Sequence, residues 1–181
     1  MKKGLFVLAM LFLAFNSYGQ GHEEYFKSGK IKIDKGDYEG AVVDLTNAIE
    51  SENSTFERIG LYLYLRGFAL RHLEDYRGAI NDFSKSIDVL TNSTNGAASD
   101  LLNHIYFQRG LCYLASGERY LEAIDDFNEA IEMNPRNGEV YAIRGLTKIS
   151  IKEKEAGCLD LSKAGKLGYA KAYDHIKDRC N

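Results

Sequence analysis

Apolar residues recur at steps of three and four in three similar stretches of the chain. The stretches read GDYEGAVVDLTNAIE from Gly36, EDYRGAINDFSKSID from Glu74 and ERYLEAIDDFNEAIE from Glu118. This spacing places the apolar side chains on one face of an α-helix, and none of the stretches shows the alternation that a strand requires. A fourth, weaker copy reads GCLDLSKAGK from Gly157. The pattern therefore predicts four helices of one kind.

A second amphipathic stretch precedes each of these helices and carries a glycine at the same place. The four glycines are Gly29, Gly67, Gly110 and Gly145. A glycine inside a helix costs about 1 kcal/mol relative to alanine, so four glycines in register need a reason. Close approach of two helices, with the glycine receiving a large side chain, supplies that reason. Each unit is therefore predicted to be a helix–turn–helix hairpin.

The four hairpins resemble the tetratricopeptide repeat, whose motif is W-x₂-L-G-x₂-Y, then A-x₃-F, then Pro, over about 34 residues. The glycines fill the glycine position, and the A-x₃-F pairs are Ala41/Leu45, Ala79/Phe83 and Ala123/Phe127. Tyr25, Leu63, Tyr106 and Tyr141 stand in the tryptophan position, and Pro135 in the final one. The polar clusters SENST and TNSTNGAAS lengthen the period and are predicted to be loops.

The resemblance implies an all-α fold, a right-handed α-solenoid. Its repeats are expected over about 22–52, 56–91, 99–135 and 138–165. After the fourth repeat, LGYAKAYDHIKDRCN carries apolar residues at helical steps. A stacked array exposes the apolar face of its last unit. We therefore predict a capping helix over 170–180, which would cover that face.

The first 19 residues have the three-part layout of a secretory signal peptide. Lys2 and Lys3 precede an apolar run that ends at Phe15, and the small-residue stretch NSYG follows. The run is too short to cross a bilayer. We expect cleavage after Gly19, a repeat domain over 20–181, no membrane insertion after cleavage, and a periplasmic or secreted bacterial protein.

Export to an oxidising compartment allows the cysteines to pair. Cys158 lies near the start of the last repeat helix and Cys180 near the end of the capping helix. The start of one helix faces the end of the next in an antiparallel pair, so a Cys158–Cys180 disulfide is predicted. Two buried thiols are the alternative. Cys112 is left over and is expected to be buried.

Composition gives no sign of catalytic or nucleic-acid chemistry. The net charge is −3 and no run of Lys or Arg occurs, so no nucleic-acid partner is expected. No histidine pair has metal-ligand spacing, and no nucleophile or phosphate-binding motif is present. The pair Asp125–Asp126 is interpreted as a solvated helix face, and Asp82 is likewise placed on the outer face. We predict no enzyme activity, no metal and no cofactor.

In tetratricopeptide repeat proteins the first helices line a concave groove that holds peptides or partner proteins, and the resemblance implies the same here. The residues expected in the groove are Phe26, Lys30, Tyr64, Phe68, Phe107 and Leu111, with Arg71 at its rim. The alternative for each aromatic residue is packing between repeats. The Lys-and-Asn set that clamps a C-terminal carboxylate is absent, so that ligand is not expected. A structural or self-assembling protein is the second function class, and an enzyme is the third.

Overall fold

A computed structural model describes residues 21–51, 56–92, 99–117 and 119–180. The predicted signal peptide, 1–19, lies outside this part of the chain, as do most residues of the two predicted polar loops. Helices dominate the described residues, and their bounds are Gly21–Asp34 (α1), Tyr38–Glu50 (α2), Phe56–His72 (α3), Tyr76–Thr91 (α4), Ser99–Ala115 (α5), Tyr120–Met133 (α6), Gly138–Ser150 (α7), Lys154–Lys166 (α8) and Lys171–Arg179 (α9).

The helices pack mainly against their neighbours in sequence. Helices α1 and α2 form the first hairpin, α3 and α4 the second, α5 and α6 the third, and α7 and α8 the fourth. The second helix of each hairpin packs on the first helix of the next, and α9 packs on α8. This order confirms the all-α solenoid that the sequence predicts.

The two helices of a hairpin pack closely at the repeated glycine. A Cβ atom added to Gly67 would lie 2.9 Å from Cε1 of Phe83, which is fully buried. At Gly145 the Cβ would lie 2.7 Å from the backbone oxygen of Gly157. The glycines are therefore required for close helix approach, as their register predicts.

One apolar cluster lies at each boundary between units. Phe83 and Ile87 of the second hairpin pack with Leu102 and Ile105 of the third. Equivalent clusters join the first hairpin to the second, the third to the fourth, and the fourth to α9. Each unit thus buries its apolar residues against its neighbours, as expected of a solenoid.

The capping helix α9 is held both by packing and by a covalent bond. Ala172 is fully buried in the cluster that contains Leu161 and Ala164 of α8. Cys158 and Cys180 form a disulfide, with their Cα atoms 5.8 Å apart. Cys158 lies in the first turns of α8 and Cys180 directly follows α9, which is the antiparallel arrangement inferred from the sequence. Cys112 is a buried free cysteine.

The prediction that Asp82 and Asp126 face solvent is wrong. Both are buried, with 2% and 4% of their surface exposed. Arg66 donates two hydrogen bonds to Asp82, at 2.7 and 2.9 Å, and Arg109 does the same to Asp126. The same pair recurs in the fourth hairpin between Arg144 and Asp160.

The third guanidinium nitrogen of each arginine reaches back to the preceding hairpin. Arg66 Nη1 donates to Thr46 and Arg109 Nη1 to Ser84, both at 3.0 Å, and Arg144 Nη1 donates to Asn128 at 2.7 Å. These arginine–aspartate pairs therefore link the helices of one hairpin and tie that hairpin to the one before it. They stabilise the fold, and we call them the inter-repeat arginine pairs.

No described helix is both long and apolar enough to cross a bilayer.

Candidate functional site

The residues expected in the groove lie on the first helices of three successive hairpins. Helix α1 carries Phe26 and Lys30, and α5 carries Phe107 and Leu111, in each case one helical turn apart. Helix α3 carries three of them, Tyr64, Phe68 and Arg71. Their contacts divide them into two groups.

The first group packs partly into the core. The Phe26 ring lies 4.9 Å from the ring of Tyr62, which is buried, and Phe26 also packs on the cluster between the first two hairpins. Tyr64 lies 6.2 Å from Phe83, and Phe107 lies 6.1 Å from Phe127. Leu111 packs on the same cluster as Phe107.

The four side chains of this first group remain partly exposed. They therefore belong in part to the cores at the hairpin boundaries and in part to the surface. The alternative of packing between repeats thus holds in part for each of the three aromatic residues.

Phe68 and Arg71 form a different environment at the end of α3. The Arg71 guanidinium lies 5.4 Å from the centre of the Phe68 ring, and the His72 ring lies 4.6 Å from it. His72 in turn stacks on Tyr38 of the first hairpin, at 4.4 Å and nearly parallel. We call Tyr38, Phe68, Arg71 and His72 the Arg71 cluster. This cluster bridges the first and second hairpins. The remaining predicted groove residue, Lys30 of α1, is exposed.

The hydrogen bond inside the Arg71 cluster fixes the state of its histidine. Nη2 of Arg71 lies 3.0 Å from Nε2 of His72. A guanidinium group only donates, so Nε2 must be the unprotonated acceptor and the imidazole must be neutral. Burial and the charge of Arg71 both lower the pKa of His72, in agreement with this assignment.

The guanidinium of Arg71 is incompletely satisfied. Its Nε atom is buried and has no hydrogen-bond partner among the described residues. Arg71 also takes part in none of the ion pairs that the described residues form. A half-buried cation with free donors can bind an anionic group.

Tyr38 is not among the groove residues that the sequence predicts, whereas His72 directly follows the predicted rim residue Arg71. Tyr38 opens α2, where its aromatic character fits a core stripe equally well. The signal in the sequence is the position of both residues near the turn end of adjacent hairpins, where neighbouring repeats bring them together. Among the described residues no cluster of metal-ligand type occurs.

The chain resembles known proteins in sequence. Residues 104–137 match the tetratricopeptide repeat. The Hsp70-Hsp90 organizing protein of Triticum aestivum is 28% identical over 171 residues, and the match covers 78% of this chain. The chain spans only 29% of the length of that curated relative.

Solved structures share the fold. The crystal structure of YrrB, described as a tetratricopeptide repeat protein with an unusual peptide-binding site, gives a TM-score of 0.72 at 20% identity, covering 97% of this chain and 88% of its own. The crystal structure of MamA gives a TM-score of 0.71 at 21% identity, covering 85% and 82%. At such identity the likeness concerns the fold alone.

Proposed function

We propose that this tetratricopeptide repeat protein is a non-enzymatic interaction module of the bacterial cell envelope. It binds a peptide or a partner protein on the face formed by α1, α3 and α5. The observation that carries the proposal is the Arg71 cluster at the end of α3. It offers partly exposed aromatic rings and an incompletely satisfied cation on one face.

The physical chemistry of this face suits a protein partner. Aromatic side chains bury a large area and lose few rotamers on binding, and together with arginine they are enriched in interface hot spots. Tyr64 and Phe107 are already oriented by their contacts with Phe83 and Phe127. Preorganised rings lower the entropic cost of association.

Two observations support a location outside the cytoplasm. The first 19 residues have the pattern of a secretory signal peptide. The disulfide between Cys158 and Cys180 is of the kind that persists in oxidising compartments. We expect mass spectrometry of the envelope-localised protein to show a chain that begins at about Gln20. An intact Met1 would contradict export with cleavage.

The test of binding compares variants in capture of partners from an envelope extract. Phe68→Ala removes a ring that contacts Arg71 and His72, and we expect capture to weaken by more than about 1 kcal/mol, or roughly fivefold. Asn81→Ala, on the exposed face of α4, is the matched control. Asp82 is unsuitable as a control because it is buried and paired.

Thermal melting separates binding from folding. Phe107→Ala is expected to lower stability as well as capture, because Phe107 packs against Phe127. Phe68→Ala should melt close to the unsubstituted protein. Normal capture by a folded Phe68→Ala variant would place the binding surface elsewhere.

A structural or self-assembling protein is the second candidate function. Tyr25 and Ile31 on α1 are 44% and 52% exposed, so the first hairpin presents apolar surface. Light scattering would favour this function over the adaptor if it showed an oligomer that grows with protein concentration. The Tyr25→Lys variant should then fail to form that oligomer.

A further inference from the structure

Arg66 and Arg71 lie on the same helix but differ in their partners. Arg66 gives two hydrogen bonds to the Asp82 carboxylate and a third to Thr46. The arginines of the third and fourth hairpins make the same set of three hydrogen bonds, two to an aspartate and one to the preceding hairpin. Arg71 is half-buried, and its described hydrogen bond goes to a neutral imidazole. Among the half-buried arginines in the described part of the chain, Arg71 is the one that has no carboxylate partner.

Three ionisable groups whose pKa is affected by the charge of Arg71 are themselves uncharged at neutral pH. Burial raises the pKa of Tyr64, and it raises the pKa of the Cys112 thiol to about 12. The pKa of His72 is lowered, so its imidazole is neutral. None of the three compensates the positive charge.

The guanidinium of Arg71 has fewer hydrogen-bond acceptors than it has N–H donors. It has five N–H donors in a planar fork, and Nε points into buried space without an acceptor among the described residues. A carboxylate accepts two parallel hydrogen bonds from a guanidinium fork, so the donors of Arg71 that are not buried can bind one. The Phe68 ring beside it provides an apolar contact for a neighbouring side chain.

We propose, resting on the proposed function, that the partner is a peptide segment with an internal Asp or Glu side chain that binds Arg71, next to an apolar side chain that contacts Phe68. The single positive charge of Arg71 is matched by the single negative charge of that Asp or Glu side chain. A C-terminal carboxylate is not the ligand we infer, because the Lys-and-Asn set that holds such a group is absent from this sequence.

Selection from a random peptide library tests this inference directly. A phage library of random twelve-residue peptides, fused at their C-termini so that no terminal carboxylate is present, is selected on the mature protein. The unsubstituted protein should enrich peptides in which an acidic residue adjoins an apolar one. Selection on Arg71→Gln should lose the acidic preference, and Arg71→Glu should replace it with Lys or Arg. Arg77→Gln, which removes an exposed charge from α4, is the matched control.

A second measurement leaves the protein unchanged. In the best selected peptide, Glu→Gln should weaken binding by at least about tenfold, because it removes a charge-assisted pair. Selected peptides without an acidic residue, or full binding after Glu→Gln, would overturn the inference while peptide binding itself stands. Failure of the folded protein to enrich any peptide would also overturn the inference, whereas the proposed function is decided by the capture experiment on the envelope extract.

Discussion

The first and the fourth hairpins are built from the same repeat but are stabilised in different ways. In the first, Lys32 lies 2.8 Å from a carboxylate oxygen of Asp44. In the fourth, the equivalent Asp160 accepts two hydrogen bonds from Arg144 and one from Lys148. The fourth hairpin also carries the disulfide-tethered helix α9, whereas α1 leaves Tyr25 and Ile31 exposed.

Helix capping favours the first hairpin over the fourth, opposite to the tertiary contacts. At the start of α2, Asp37 accepts a hydrogen bond from the backbone N–H of Gly40 at 2.9 Å. The start of α8, at Glu153, has no side-chain cap, and Lys152 before it adopts a positive φ of 71°. A hairpin with strong tertiary contacts on both sides tolerates weak local signals, whereas an end hairpin depends on them.

Asp160→Ala is expected to produce the largest difference between the two ends. It leaves Arg144 and Lys148 partly buried without a counter-charge, which should cost about 3–5 kcal/mol of unfolding free energy. Asp44→Ala should cost about 1 kcal/mol, because the partly exposed Lys32 can turn toward water. Urea denaturation measures both values. Equal losses would mean that the inter-repeat arginine pairs are no stronger than the lysine pair of the first hairpin.

Removal of the disulfide tests the tether of the capping helix. Replacing Cys158 and Cys180 together by serine should lower stability by roughly 3 kcal/mol, since the bond joins residues 22 positions apart. Reduced protein serves as the control, because the difference between the two chains should vanish there. Peptide mapping that finds both thiols free after export would contradict the pairing itself.

The helix caps give the smallest expected effect. Asp37→Ala removes the acceptor for Gly40 and should cost about 1 kcal/mol. Glu153→Ala at the equivalent position of α8 should change stability by only about a few tenths of a kcal/mol, because no side-chain cap is lost there. Hydrogen exchange at the first turns of α2 and α8 would show whether the loss is local.

The hairpins are predictable from sequence because helical periodicity is a local property repeated four times. The close contact at Gly67 and Gly145 follows from the same register. The disulfide can be inferred from antiparallel geometry, since Cys158 and Cys180 stand at facing helix ends. These inferences need only neighbours in sequence and the rule that neighbouring helices pack.

The inter-repeat arginine pairs escape prediction when a charged residue beside an apolar stripe is assumed to face water. The signal is nevertheless present in the sequence. An arginine directly precedes the glycine in three repeats, at Arg66, Arg109 and Arg144, and an aspartate directly precedes the apolar residue that packs on that glycine. The Arg71 cluster is less accessible to prediction, because it depends on a contact between Tyr38 and His72 of different hairpins.

The buried thiol of Cys112 has a consequence for the order of folding. A thiolate is the species that attacks disulfides, and burial between the second and third hairpins raises the pKa of Cys112 to about 12. Once those hairpins have packed, this cysteine is withdrawn from exchange. Cys158 and Cys180 are then the pair left to oxidise, and their short loop closes at lower entropic cost than one reaching back to Cys112. Destabilising the second and third hairpins should therefore produce mispaired Cys112 during oxidative refolding.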